Sequence, residues 1–125
     1  MDSNDFKYFR KKLNKTQAAM AQLLGVSLKA VHSYEQGWRS IPAAVERQVY
    51  FLVSQNMADR KDRKACWETK NCPPEWKNKC PAWEFQAGAY CWFINGTICD
   101  GTVQKNWKEK MKICRSCSVF NSLLR

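Results

Sequence analysis

Seven cysteines lie between residues 66 and 117, at Cys66, Cys72, Cys80, Cys91, Cys99, Cys114 and Cys117, and the first 65 residues contain none. Clustered thiols serve as disulfide staples, redox centres or metal ligands. Disulfides persist in oxidising compartments, yet no apolar signal stretch follows the charged start of the chain. No apolar run approaches the ~20 residues of a membrane span, the longest being Val49 to Val53. A cytoplasmic protein with no membrane partner is therefore expected. In a reducing cytosol an odd set of seven thiols points to metal or redox chemistry.

The spacing narrows the chemistry without completing it. The order is Cys66-Trp67, Cys72-Pro73, Cys80-Pro81-Ala82-Trp83, Cys91-Trp92, Cys99, then Cys114-Arg115-Ser116-Cys117, so a Cys-Trp pair recurs as in a degenerate repeat. Structural zinc sites usually pair two short Cys-x-x-Cys knuckles, and only Cys114 and Cys117 make one. The two Cys-Pro steps match the proline that follows a ligand in ferredoxin runs, and nearby indoles can shield a cluster from water. Seven thiols suffice for one [4Fe-4S] cluster with three to spare, or for two zinc ions sharing a thiolate. An iron-sulfur cluster is the favoured cofactor and Zn2+ the alternative, with all seven cysteines as candidate ligands. Cys114 and Cys117 are the first choice, and spacing does not select the others.

The elements that must hold these thiols are small. Ile94-Asn95-Gly96-Thr97 has the chemistry of a two-residue hairpin turn, which would set Cys91 and Cys99 across a short ribbon. Trp107 and Met111 stand one helical turn apart among lysines, so an amphipathic helix over Val103 to Ile113 is expected to deliver Cys114 and Cys117. Trp67, Trp76, Trp83, Trp92 and Trp107 are expected to form the core of this half.

The cysteine-free half follows a different pattern. Thr16 is a helix N-cap, Ala18, Met20, Ala21, Leu23 and Leu24 form an apolar stripe, and Gly25 ends it. Val26 fills the corner, and Ser27 caps a second helix from Leu28 to Gln36 with Val31 and Tyr34 inward, before Gly37. Two short helices joined by a glycine turn make a helix-turn-helix. Val45, Val49, Leu52 and Val53 give a later helix an apolar face, which serves as core or in part as a homodimer contact. The net charge is +10, with 12 basic against 6 acidic residues up to Lys64 and 9 against 5 beyond it. A basic balance in both halves fits a polyanionic partner.

The stretch from Thr16 to Pro42 resembles the Cro/CI-type (XRE-like) helix-turn-helix family, and the resemblance covers about residues 6 to 55. It implies a first helix around Phe6 to Leu13, a closing helix from about Pro42 to Gln55, and a second helix that enters the major groove of double-stranded DNA. By matching positions it implies Gln17, Ser27, Leu28, Lys29, His32 and Ser33 as groove and phosphate contacts, with Arg10, Lys11, Lys12 and Arg39 as further phosphate contacts. Lys29 is the best base reader, because lysine can donate to guanine O6 or N7. His32, the only histidine, is expected on the DNA face rather than at a metal. Glu35 is expected to brace the fold. From Cys66 to Phe120 the chain resembles a cysteine- and tryptophan-rich (two-CW) module attached to bacterial and archaeal regulatory proteins, on Cys66-Trp67, Cys80-Pro81-Ala82, Cys91-Trp92, Gly96-Thr97, Cys99 and Cys114-x-x-Cys117-Ser-Val-Phe120.

The expected fold is a mainly α helix-turn-helix domain of about five helices over residues 1–58 and a linker at 59–65. A small, loop-rich, metal-stapled α+β cysteine-rich domain would follow over 66–125. No nucleophile, base and orienting group are assembled, since the lone histidine falls in the DNA-binding half, so no enzyme is expected. The expected function is transcriptional regulation, with the cysteine-rich domain sensing redox state or cluster status. The alternatives are a structural zinc module that docks a partner, and a small electron-transfer protein.

Overall fold

The computed structural model describes residues 1–55, 65–88, 90–99, 101–104 and 106–124, with side chains through Asn121. Within the expected linker at 59–65, only Ala65 is among the described residues. The chain divides into two compact units, Met1–Asn56 and Met57–Arg125.

The first unit contains four helices in its described residues: α1 Ser3–Lys12, α2 Gln17–Leu24, α3 Leu28–Gln36 and α4 Ala43–Gln55. About five were expected. The first begins at Asp2, whose carboxylate accepts from the Asp5 N–H in a reciprocal capping box. Thr16 and Ser27 cap α2 and α3 by accepting from the N–H groups of Ala19 and Ala30 at 3.1 and 3.0 Å. Gly25 adopts φ +67°, a left-handed conformation that glycine reaches without a Cβ penalty, and this reverses the chain between α2 and α3. The core gathers Phe6, Phe9, Met20, Leu24, Val31, Tyr34, Val49, Tyr50 and Val53. Phe6 meets Tyr34 edge-on at 5.6 Å, and Phe9 meets Tyr50 at 5.7 Å. Of the apolar face expected on α4, Val45, Val49 and Val53 are buried, while Leu52 is half-buried.

The second unit is built from short pieces. Three four-residue helices, α5 Cys66–Thr69, α6 Pro74–Lys77 and α7 Pro81–Glu84, precede a 3-10 turn at Cys91–Phe93. A two-stranded antiparallel ribbon follows, β1 Ile98–Cys99 and β2 Thr102–Val103, and then α8 Trp107–Cys114 and α9 Ser118–Leu124. Proline opens α6 and α7 at their first helical positions, where its missing N–H costs nothing. Described residues in this unit are therefore mostly helical, with one small sheet.

Three sequence expectations change here. The hairpin is not centred on Asn95-Gly96: the register pairs Ile98 with Val103 and Cys99 with Thr102, and Gly101 at φ +79° stands in the connection. The physical reason lies upstream, where the 3-10 turn at Cys91–Phe93 leaves no strand to pair across Asn95. Cys91 consequently sits buried in that turn instead of facing Cys99 across a ribbon. The expected helix from Val103 begins at Trp107, because Thr102 and Val103 are committed to the ribbon. Among the tryptophans only Trp92 is fully buried, at 0% exposure; Trp76 is 37% exposed, and Trp67, Trp83 and Trp107 are half-buried.

Candidate functional sites: a helix-turn-helix and a thiol-lined cavity

In the first unit the second helix of the motif presents a polar face. Ser27, Leu28, Lys29 and His32 are exposed, and so is Arg39 just beyond the helix. Ser33 is not: it is buried at 8% exposure together with Ala30, Val31 and Tyr34. A residue three positions after Ala30 and one before Tyr34 falls on the inward stripe of an α-helix, so Ser33 is corrected from a DNA contact to a packing residue. Gln17 and Arg10 are also engaged internally. Glu35, whose side chain is 3% exposed, accepts from Arg10 Nη2 at 2.9 Å and from Arg10 Nε at 3.1 and 3.2 Å. It accepts from Gln17 Nε2 at 2.9 Å as well. A carboxylate receiving a guanidinium fork and an amide ties α1, α2 and α3 together. Glu35 thus has the bracing geometry expected of it. Sequence reading missed Trp38, which is 73% exposed and meets His32 edge-on at 5.5 Å beside the exposed face of α3.

In the second unit all seven cysteines line one cavity of about 40 Å³, together with Trp67, Trp83, Thr97, Ile113 and Phe120. A single water needs roughly 10–15 Å³ of such space, so there is room for more than one atom. The thiols reach the cavity from every part of the unit. Cys66 and Cys91 are the first residues of α5 and of the 3-10 turn, so each Cys-Trp pair opens a helical turn at the same place. Cys114 ends α8, and Cys117 lies between α8 and α9. The packing of α8 on α9 and on the 3-10 turn, and of α5 on α9, closes the arrangement.

Two backbone details hold the sulfurs. Cys66 N–H donates to the Gly88 carbonyl at 3.1 Å, and a Cβ on Gly88 would fall 2.6 Å from Ala65 Cβ and 2.9 Å from the Trp67 ring. That approach admits only glycine, a contact that spacing of the cysteines could not reveal. Ile98 N–H donates to Cys80 Sγ at 3.3 Å.

The thiols differ electrostatically. The hydrogen bond from Cys91 lowers the Cys66 pKa against the opposing effects of burial and of neighbouring Cys80, Cys72 and Cys99. The same bond, then burial, pushes Cys91 up. Burial pushes Cys99 up and pushes Cys114 up to about 12, while the charge of Lys110 opposes the rise at both. Such groups resist ionising alone, and a positive centre at the cavity would reverse that preference.

The donor set fits a soft metal, because thiols line the cavity and no carboxylate or histidine does. The fit to one ion is poor. Tetrahedral zinc at ~2.3 Å from each sulfur requires sulfurs only about 3.8 Å apart, and among the described residues no three Cys, His, Asp or Glu side chains are gathered as a metal ion needs.

Comparison with known proteins bears on the first unit only. Residues 6–44 match the helix-turn-helix family model, 39 of the 125 residues. Residues 6–44 are thus similar to a helix-turn-helix of the Cro/CI kind, which supports a DNA-binding regulator. The family is one of DNA binders and not of enzymes. No curated protein and no solved structure matches the chain. Among the described residues no helix is long and apolar enough to cross a membrane.

Proposed function

We propose that the chain is a sequence-specific DNA-binding transcriptional regulator whose cysteine-rich unit holds a thiolate-ligated metal centre, and that the state of this centre sets DNA affinity. The observation that carries the proposal is the convergence of all seven cysteines on one cavity, in a chain that also holds a helix-turn-helix. Seven thiols drawn from six stretches of the sequence line the same cavity, and simple burial of cysteine as a small apolar residue does not require that.

We read this centre as an iron-sulfur cluster, with zinc, as two ions sharing a thiolate, the alternative. A polynuclear centre spreads its ligands around several metal atoms, which suits a donor set arranged around a cavity rather than about a point. The backbone N–H on Cys80 Sγ and the indoles of Trp67 and Trp83 at the cavity wall are the hydrogen bonds and apolar cover that tune such centres. A bound cluster would supply one-electron redox chemistry, with the cysteines as its ligands, the indoles of Trp67 and Trp83 excluding water and the Ile98 N–H donating to Cys80 Sγ.

On the DNA side, Ser27, Leu28, Lys29, His32 and Arg39 form the contact face, with Lys29 reading a base and Ser27 and Arg39 fixing the phosphate backbone. Gln17 supports this face through Glu35 and keeps its amide oxygen for the backbone region. Two copies on a palindromic site are part of the proposal. Selection of a binding site from random double-stranded DNA, followed by titration with the centre intact and after its removal by chelation, tests the whole reading. The expected result is a discrete palindromic site and at least a tenfold change in affinity. Equal affinity in the two states would refute regulation through the centre.

A further inference from the structure

The exposed face of α3 ends in an indole that the contact face leaves unused. Trp38 is 73% exposed, the largest exposure of any bulky apolar side chain among the described residues. One exposed apolar residue on its own signifies little, but three features of the fold give this one a setting. Its backbone is fixed: Gly37 ends α3 at φ +77°, and the Trp38 N–H then donates to the Ser33 carbonyl at 3.0 Å, the bond that closes a Schellman turn. Its ring meets the His32 ring edge-on, with centroids 5.5 Å apart and planes at 78°, and both residues are exposed, so each ring limits the other's freedom in water. Its charged neighbours are cationic. Lys29 lies one turn before His32 on the helix, Arg39 follows Trp38, and both are exposed; the carboxylate of the helix, Glu35, is turned inward onto Arg10 and Gln17.

Length decides what the indole would meet. With nine residues at 1.5 Å each, α3 is roughly 13 Å long, and the major groove is about 12 Å wide. A helix whose first turn, with Leu28 and Lys29, faces base edges therefore reaches the bordering strand at its far end, where Trp38 and Arg39 stand. Arg39 matches the phosphates there, and the flat apolar face of an indole matches the deoxyribose between them. We propose that Trp38 is a DNA contact at the rim of the major groove, its indole lying against the sugar-phosphate backbone while its edge-on contact holds the His32 imidazole over the groove. This rests on the DNA-binding reading above and adds to it an apolar contact of a kind that Lys29 and Arg39 do not supply. An indole covered only on the operator has a consequence in salt. Phosphate neutralisation by Lys and Arg releases counterions and weakens as salt rises, whereas a ring packed on sugar releases none.

The test titrates the full chain with double-stranded DNA carrying its selected site, at several salt concentrations. Trp38→Ala should weaken binding by about 10- to 30-fold, the scale on which truncating a tryptophan anchor acts, on matched and variant sites alike. The slope of log affinity against log salt should stay at the parent value. Trp38→Phe keeps a ring beside His32 and should recover most of the loss. With His32→Ala in place, Trp38→Ala should cost less than it does alone, because the two rings act together. A flattened salt slope would mean that α3 had lost its phosphate contacts, and would overturn the proposal in favour of a structural role. Unweakened binding by Trp38→Ala, beside weakened binding by Lys29→Ala, would overturn it and leave the DNA-binding reading in place. A parent chain that selects no DNA site would remove that reading, and the proposal with it.

Discussion

Replacing Glu35 by alanine tests the bracing of the helix-turn-helix. The carboxylate is nearly buried and accepts four hydrogen bonds, three from Arg10 and one from Gln17. Its loss leaves the Arg10 guanidinium, only 14% exposed, without its counter-charge, and breaking a buried pair from one side costs about 3–5 kcal/mol. Natural domains hold roughly 0.05–0.15 kcal/mol per residue, so a unit of this size has about 3–8 kcal/mol in total. Glu35→Ala should therefore remove half or more of the first unit's stability. Because the cost comes from the stranded cation and not from the lost pair itself, Arg10→Met with Glu35→Leu should restore most of it, to within about 1–2 kcal/mol of the parent. Urea unfolding followed by helical ellipticity measures both. A single variant within 0.5 kcal/mol of the parent, or a double variant no better than the single, would refute the reasoning (about the scatter of neutral surface changes).

Four further outcomes are expected. Lys29→Ala should weaken binding to the selected DNA site by about 1–3 kcal/mol and relax the base preference at one position, as read by competition among variant sites; Arg39→Ala should weaken all sequences alike and flatten the salt dependence by about one phosphate. Gly88→Ala should cost about 1–3 kcal/mol through overpacking against Ala65 and Trp67 and lower metal uptake by displacing Cys66, measured as metal per chain after purification. Trp92→Ala should destabilise the second unit by about 3–5 kcal/mol, the usual range for emptying a fully buried aromatic site, which thermal unfolding of the full chain records.

The two halves were unequally legible. In the first, local chemistry agrees with the fold at every level: Thr16 and Ser27 cap where a hydroxyl before an apolar stripe must cap, and Gly25 turns where only glycine fits cheaply. Ser33 was misassigned because a matching position in a motif does not state which way a side chain points, whereas the 3.6-residue period does. In the second half, elements of two to four residues carry too little periodicity to locate. Asn95-Gly96 and Asp100-Gly101 offer the same turn chemistry, and only the 3-10 turn before Asn95 tells them apart. A thiol-lined site was expected from the number of cysteines, with spacing unable to select its members, but the support of Gly88 for Cys66 depends on packing between distant segments. Lys110, fully buried, is a lysine among lysines on a polar-looking helix and gives no sequence signal of burial.

The seven cysteines are proposed to hold a metal centre. The most direct measurement is anaerobic purification of the full chain with a visible spectrum and iron, acid-labile sulfide and zinc counted on one sample. A brown protein with matched iron and sulfide is the predicted result. A colourless, folded protein that contains neither iron nor zinc and takes up neither on reconstitution would contradict it.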